Sequence, residues 1–167
     1  MLDGECHIAI TTNSEVHRDK ILYEKFMRDP LVLIVRANYP VKNTITVGQL
    51  VTLPIVLRVS GATSLKILND GLLKFGYSIK DLNILLKVFD NESVKQSVMA
   101  GFAAGFVTAS SVKAHSGEFR IINIKNLKFD RNLYLMRLDN ENYTKAMHYF
   151  WSFTISGKWN NSNHSIP

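Results

Sequence analysis

Several short segments place hydroxyl and amide side chains where an apolar run meets a helical pattern. The most informative is Ser60–Ser64, in which Ser60, Gly61 and Thr63 stand between an apolar run and a strong helical repeat. The free backbone N–H groups and the positive dipole end of a helix form a natural anion site at such a junction. The same hydroxyls could instead cap the helix. Ordinary capping and ligand binding both remain open from the local sequence.

Two further junctions show the same arrangement. Thr11 and Thr12 follow an apolar run that predicts a buried strand, and Asn91–Ser93 opens a helical pattern after another apolar run. Open α/β sheets place their ligands in loops at the carboxyl ends of parallel strands, which favours a role for these loops. Taken alone, each segment is better explained as a plain turn or helix cap.

Side chains for catalysis or metal binding form no recognisable constellation in the sequence. The five histidines show no metal-ligand spacing with one another or with the single cysteine, Cys6. The sequence has no Gly-x-Ser-x-Gly elbow, no phosphate-binding loop and no dinucleotide glycine fingerprint. Cys6 stands in an apolar run, which predicts a buried and inert thiol. The sequence therefore favours a binding protein without metal or cofactor over an enzyme.

Charge and hydropathy limit the partners that the sequence suggests. The net charge of +6 is spread along the chain, and the densest basic cluster, Lys125–Arg131, contains Asp130. A diffuse positive field suits a small anionic ligand at least as well as DNA. The longest apolar run, Val98–Val107, is far shorter than the roughly 20 residues that span a membrane. The acidic start Met1–Glu5 is unlike a signal peptide, so a cytoplasmic protein is expected.

Strand-like and helix-like patterns alternate along the chain. Apolar runs predict strands over residues 6–12, 21–27, 31–35, 54–57, 82–89, 105–108, 119–124 and 133–136. Helical spacing predicts helices over residues 46–51, 65–75, 91–99, 110–115 and 143–153. This alternation is typical of an α/β fold with mainly parallel strand pairing. The polar tail, residues 158–167, is predicted to be disordered.

In chain order, these segments resemble the effector-binding domain of LysR-type transcriptional regulators. Gly4–Ile10 is similar to the family's G-x-L-D-L-A-I strand, with Cys6 at the first apolar position and His7 at the aspartate. Asp29–Pro40 is similar to D-x-L-x-L-V…H-P, and Val98–Val107 is similar to V-x-x-G-x-G-I-x-x-L-P. Further similar segments are Val47–Pro54, Ser60–Ser64 at the effector-binding turn, Gly117–Ile124 and Leu133–Met136. The order of these segments, rather than any one motif, carries the resemblance.

The resemblance implies a two-lobed α/β fold of the periplasmic-binding-protein-like type 2, with mainly parallel sheets. The first lobe is expected over residues 1–38 and 130–157, and the second over residues 39–129. A small anionic effector, carboxylate-like or sulfate-like, would bind between the lobes. The implied ligand-binding residues are Thr11, Thr12, Ser60, Gly61, Thr63 and Thr108.

The family pattern begins earlier than this sequence does. The sequence contains neither the winged helix-turn-helix nor the opening strand, helix and strand of the first lobe, so that lobe is expected to be incomplete. DNA contact is then expected only through a module outside this sequence, and exposed apolar surface would favour homo-oligomers. Two alternatives remain open, since fold alone does not settle function. One is a fragment of a transporter's solute-binding protein, and the other is a ligand-free fragment that pairs with intact regulators.

Overall fold

The computed structural model describes residues 6–12, 21–59, 62–113, 117–139 and 144–157. The chain divides into two compact units. Unit 1 comprises residues 1–28 and 132–167, and unit 2 comprises Asp29–Arg131. The lobe boundaries expected at 38/39 and 129/130 stay predictions. The tail predicted to be disordered lies outside the described residues.

Nine strands and five α-helices are found among the described residues. In chain order they are β1 (Ile8–Thr11), β2 (Ile21–Arg28), β3 (Leu31–Arg36), β4 (Thr44–Ile45), α1 (Val47–Thr52), β5 (Ile55–Arg58), α2 (Ala62–Leu73), β6 (Ile84–Val88), α3 (Asn91–Met99), β7 (Ala104–Thr108), α4 (Ala109–Lys113), β8 (Phe119–Ile124), β9 (Asn132–Leu138) and α5 (Lys145–Ile155). A 3₁₀ turn, Ile79–Asp81, precedes β6. Each strand and helix expected from the sequence has its counterpart in this order. Strand β4 and the 3₁₀ turn were not predicted, because two or three residues are too few to show a periodicity.

Unit 1 is built on a three-stranded sheet in the order β1-β9-β2. Both pairs are antiparallel, and β2 carries a register shift between Lys25 and Met27. Helix α5 buries Trp151 and Thr154. The guanidinium of Arg137 on β9 lies 5.0 Å from the centre of the Trp151 ring, a cation–π contact that ties the helix to the sheet.

Unit 2 is built on a six-stranded sheet in the order β4-β8-β3-β7-β5-β6. The pairs β4–β8, β5–β6 and β5–β7 are parallel, whereas β3 runs antiparallel to both of its neighbours. The α/β class with a mainly parallel sheet is thus confirmed here. The antiparallel pairing of β3 was not predicted, because an apolar run does not show the direction of a strand's neighbours.

The sheet of unit 2 is covered on both faces. Leu33 and Val35 of β3 point into one core cluster with Leu50, Leu68 and Leu72 of α1 and α2. Ile34, between them, points into a second cluster with Val94 and Val98 of α3. Successive side chains of a strand alternate between faces, and burial on both sides explains why β3 is continuously apolar.

Candidate functional site

The carboxyl ends of β5 and β7 lie at the same edge of the unit 2 sheet, since both strands run parallel. Strand β5 ends at Arg58 and β7 ends at Thr108. Helix α2 begins at Ala62 after β5, and α3 begins at Asn91 after β6. Ligands of open α/β sheets bind at this edge, where helix N-termini also present free N–H groups.

A small pocket opens at this edge. Its lining combines five apolar side chains with three polar ones and is formed by Leu31, Leu57, Arg58, Ser64, Leu65, Leu68, Asn91 and Phe106. The cavity volume is about 20 Å³, which is room for roughly one water molecule. The pocket therefore pairs a hydrophobic wall with one cation, one hydroxyl and one amide.

Arg58 is the cation of this pocket. The residue is half-buried, and its Nη2 donates to Ser64 Oγ at 3.1 Å. Within the described part of the chain, no carboxylate forms an ion pair with Arg58. A guanidinium presents several N–H donors in a planar fork that matches a carboxylate or a phosphate. Arg58 thus retains donors that could bind such an anion.

Asp90 caps α3 beside the pocket. Its Oδ1 accepts from Ser93 N at 2.7 Å, and its Oδ2 accepts from Ser93 Oγ at 2.9 Å. These bonds from the backbone and side chain of Ser93 hold the pKa of Asp90 below its usual value, and the positive charge of Arg58 adds to the effect. The Asp90 oxygens thus accept hydrogen bonds from Ser93 at the start of α3, and the Asp90 charge interacts with Arg58 without an ion-pair contact among the described residues.

The predicted site residues fall into three groups. Thr11 lies on β1 opposite Tyr134, and Thr12 follows it; both are half-buried and belong to unit 1. Thr63 is half-buried in the first turn of α2, in unit 2. Ser60 and Gly61 lie outside the described residues.

Thr108 is a predicted site residue that is buried and contacts two other polar side chains. Its side chain is buried, with 4% of the residue exposed. Its Oγ1 lies 3.4 Å from Asn91 Nδ2, which donates to it, and 3.3 Å from Ser110 Oγ. The structure therefore brings Thr108 together with Asn91, a residue that lines the pocket.

Sequence reasoning missed Arg58, and it considered Asn91 only as part of the junction Asn91–Ser93, which taken alone was better explained as a helix cap. The signal for Arg58 was present: it is the charged residue that ends the apolar run Ile55–Leu57, two positions before Ser60. A cation at the carboxyl end of a buried parallel strand is placed where such sheets bind ligands.

Among the described residues, no three or more His, Cys, Asp or Glu side chains are grouped so that they could hold a metal ion. No helix in the described part of the chain has the length and apolarity needed to cross a membrane. Cys6 precedes β1, is half-buried, and donates its thiol to the Ile8 carbonyl at 2.8 Å.

Curated relatives of the chain are named as transcriptional regulators. A probable RuBisCO transcriptional regulator of Trieres chinensis is 24% identical over 160 residues, which are 91% of this chain and 52% of that protein. An uncharacterized HTH-type transcriptional regulator of Methanocaldococcus jannaschii is 29% identical over 134 residues, covering 75% of this chain and 44% of that protein. The chain thus spans about half the length of the curated relatives it matches.

Solved structures show the same fold. The regulatory domain of Synechocystis PCC6803 CcmR in complex with 2-PG superposes with a TM-score of 0.79 at 18% identity, covering 96% of this chain and 77% of that one. The effector binding domain of QuiR in complex with shikimate superposes with a TM-score of 0.74 at 17% identity, covering 99% of this chain and 76% of that one. At this identity the likeness establishes the fold.

The family itself is identified by sequence. The family model of the LysR substrate binding domain matches residues 1–157, nearly the whole chain. That match agrees with the resemblance seen in the ordered motifs and with the fold of the effector-binding domains. The chain therefore belongs to the LysR substrate binding domain family.

Proposed function

We propose that this domain senses a small anionic metabolite and that Arg58 is the cation that holds it. The observation that carries the proposal is the position of the Arg58 guanidinium, half-buried at the carboxyl end of β5 and bonded to Ser64 in the first turn of α2. An anion at this point would receive charge-assisted hydrogen bonds from the guanidinium and favourable interaction with the helix dipole.

Other residues would complete the site around Arg58. Asn91 and Ser64 supply an amide and a hydroxyl from the pocket wall. The remaining members of the proposed site are the sequence-predicted residues Thr11, Thr12, Ser60, Gly61, Thr63 and Thr108. The ligands named with the solved relatives, 2-PG and shikimate, are small polar molecules, and this supports the same class of ligand here.

The size of the pocket limits what can bind in this conformation. At about 20 Å³ it admits a water-sized group and not a whole metabolite, whereas ligand pockets measure about 300–1,000 Å³. A bound metabolite would therefore need a wider pocket than the one that the described residues form here. A ligand that favours a conformer with a wider pocket shifts the population of conformers, which is the property a sensor needs.

We further propose the setting in which the domain works. The relatives are named as transcriptional regulators, which supports a cytoplasmic sensor rather than a transporter's binding protein or an enzyme. DNA contact would come from a winged helix-turn-helix outside this sequence. Exposed apolar side chains such as Leu85 and Phe102 support association of the domain into homo-oligomers.

Thermal melting with a panel of ligands tests the proposed ligand class. The purified domain is melted with sulfate, inorganic phosphate, 2-PG, shikimate and small carboxylates at matched ionic strength. We expect at least one of these anions to raise the melting temperature, because binding to the folded state alone stabilises it by mass action. A folded domain whose melting temperature none of the anions changes would contradict the proposal.

A further inference from the structure

A continuous set of hydrogen bonds leads from the pocket to the two ends of unit 2. Asn91 lines the pocket, and its Nδ2 donates to Thr108 Oγ1 at 3.4 Å. Thr108 Oγ1 lies 3.3 Å from Ser110 Oγ, and Ser110 Oγ donates to Asp29 Oδ2 at 3.0 Å. Asp29 also binds the guanidinium of Arg131. Asp29 and Arg131 are the first and last residues of unit 2.

The Asp29–Arg131 pair closes unit 2 where the chain enters and leaves it. Asp29 N donates to the Arg131 carbonyl at 2.8 Å, and Arg131 Nε donates to the Asp29 carbonyl at 3.1 Å. The two side chains are 3% and 12% exposed, so the ion pair is shielded from solvent. A buried carboxylate is costly unless its oxygens are fully bonded. Here Ser110 N supplies another bond, to Asp29 Oδ1 at 2.9 Å.

The direction of the bonds is uniform along this path. Because Ser110 Oγ gives its hydrogen to Asp29, the hydrogen between the two hydroxyls belongs to Thr108. Thr108 therefore accepts from Asn91 and donates towards Asp29. Donors aligned in one direction polarise one another, and the anionic acceptor at the end strengthens the bonds before it.

The first bond is the one that a ligand could change. At 3.4 Å the bond from Asn91 to Thr108 is at the long limit for an N–H···O contact, so the amide is held only weakly. A ligand oxygen in the pocket would compete for the same donor. The later bonds lie at buried residues, since Thr108 is 4% and Asp29 is 2% exposed.

We propose that this path is a relay, through which contact with Asn91 in the pocket alters the stability of the Asp29–Arg131 closure. The idea rests on the proposed function for its biological meaning, because it gives pocket occupancy a physical route to the point where the chain passes to unit 1. Its test needs no ligand, so it can fail while the ligand proposal holds, and the reverse.

Amide hydrogen exchange of the purified domain tests the relay. The reporters are the amides of Asp29 and Leu31, which donate to the Arg131 and Phe129 carbonyls at 2.8 and 3.0 Å. We expect Asn91→Ala to speed exchange at both reporters by about twofold to threefold, the value of a weak hydrogen bond. Thr108→Val should do the same.

Two comparisons show whether the effect travels through the path. In a Ser110→Ala background, which cuts the path, Asn91→Ala should add nothing further. Asn83→Ala is the matched control, since the Asn83 amide also makes a 3.4 Å bond, to the Thr52 carbonyl, but lies outside the path. This control should leave the exchange rates of Asp29 and Leu31 unchanged. The Lys125 amide, bonded to the Ile45 carbonyl at 2.8 Å, should exchange at an unchanged rate in Asn91→Ala.

Three results would overturn the relay. They are unchanged exchange at Asp29 and Leu31 in Asn91→Ala, an equal acceleration at Lys125, and an undiminished effect of Asn91→Ala in the Ser110→Ala background.

Discussion

Single side chains decide the chemistry at the edge of the unit 2 sheet. Arg58 has a hydroxyl partner in Ser64, whereas the nearby carboxylate of Asp90 is occupied by Ser93. The two charges interact, but within the described residues Asp90 makes no ion-pair contact with Arg58 that would occupy the donors of its guanidinium. The capping role of Asp90 thus matters for the site as well as for α3.

Asp90 should also link stability to pH. Its pKa is lowered in the folded state, chiefly by the bonds from Ser93. The ionised Asp90 side chain therefore makes its full contribution to the free energy of unfolding above the unfolded pKa of about 3.9. That contribution is lost as the pH falls through the lower pKa of the folded state. Asp90→Ala should lower the denaturation midpoint at pH 7, and its difference from the wild type should shrink towards pH 2.

Asp90→Asn provides the control for this prediction. Asparagine is also a good N-cap but carries no charge and does not titrate, so the stability of this variant should lie between those of the wild type and Asp90→Ala at pH 7. Chemical denaturation of the three proteins between pH 2 and pH 7 measures both effects. A stability difference between the wild type and Asp90→Ala that does not change with pH would contradict the lowered pKa of Asp90.

At the scale of elements, α3 approaches β7 so closely that a glycine is needed between them. A Cβ at Gly105 would lie 2.5 Å from Val94 Cγ1 and 3.0 Å from Val98 Cγ2. Gly105→Ala should destabilise the domain by about 1–3 kcal/mol, as overpacking does in a filled core. Denaturant unfolding measures the change.

Gly48 offers a contrast, because it is a half-buried glycine in the first turn of a helix and a Cβ there would meet no close contact. It lies inside α1, and the nearest atom to its Cβ would be the Tyr77 hydroxyl at 3.6 Å. Gly48→Ala should stabilise the domain by about 0.5–1 kcal/mol, since alanine costs less backbone entropy in a helix. Equal effects of the two substitutions would show that close packing is not what requires Gly105.

Most strands and helices could be predicted from sequence, because the apolar residues that they bury recur at the spacing of a strand or a helix. Helix α2 shows apolar residues at helical spacing and ends near Gly76, whose φ is +77°. Strand β4 was not predicted, because its two residues, Thr44 and Ile45, are too few to show an alternation of apolar and polar side chains. The site was harder to predict. The position of Arg58 suggests a binding role only once β5 pairs in parallel with β7, which places the carboxyl ends of the two strands at the same edge of the sheet. This pairing joins distant parts of the chain.

At the scale of the whole molecule, the surface beside β6 should take part in self-association. Strand β6 is the last strand of its sheet, and Leu85 and Leu86 on it are 59% and 46% exposed. They border a groove of about 290 Å³ together with Phe102, which is 72% exposed. Strand edges and apolar patches of this kind are sites of association.

Sedimentation velocity should therefore show oligomers of the domain, and Phe102→Ser should shift them towards monomer. Leu73→Ser is the control, because Leu73 is a similarly exposed apolar residue, at 55%, that does not border the groove. A monomeric wild-type domain, or the same shift in both variants, would contradict this prediction.

Calorimetric titration of one anion that stabilises the domain tests directly whether Arg58 holds the effector. The wild type is compared with Arg58→Gln and with Lys66→Gln, which removes the same charge from the exposed side of α2. We predict that Arg58→Gln weakens binding at least about tenfold, the loss of a charge-assisted hydrogen bond, whereas Lys66→Gln changes it by less than about threefold. Equal affinities for the wild type and Arg58→Gln would contradict the account, as would equal losses in the two variants.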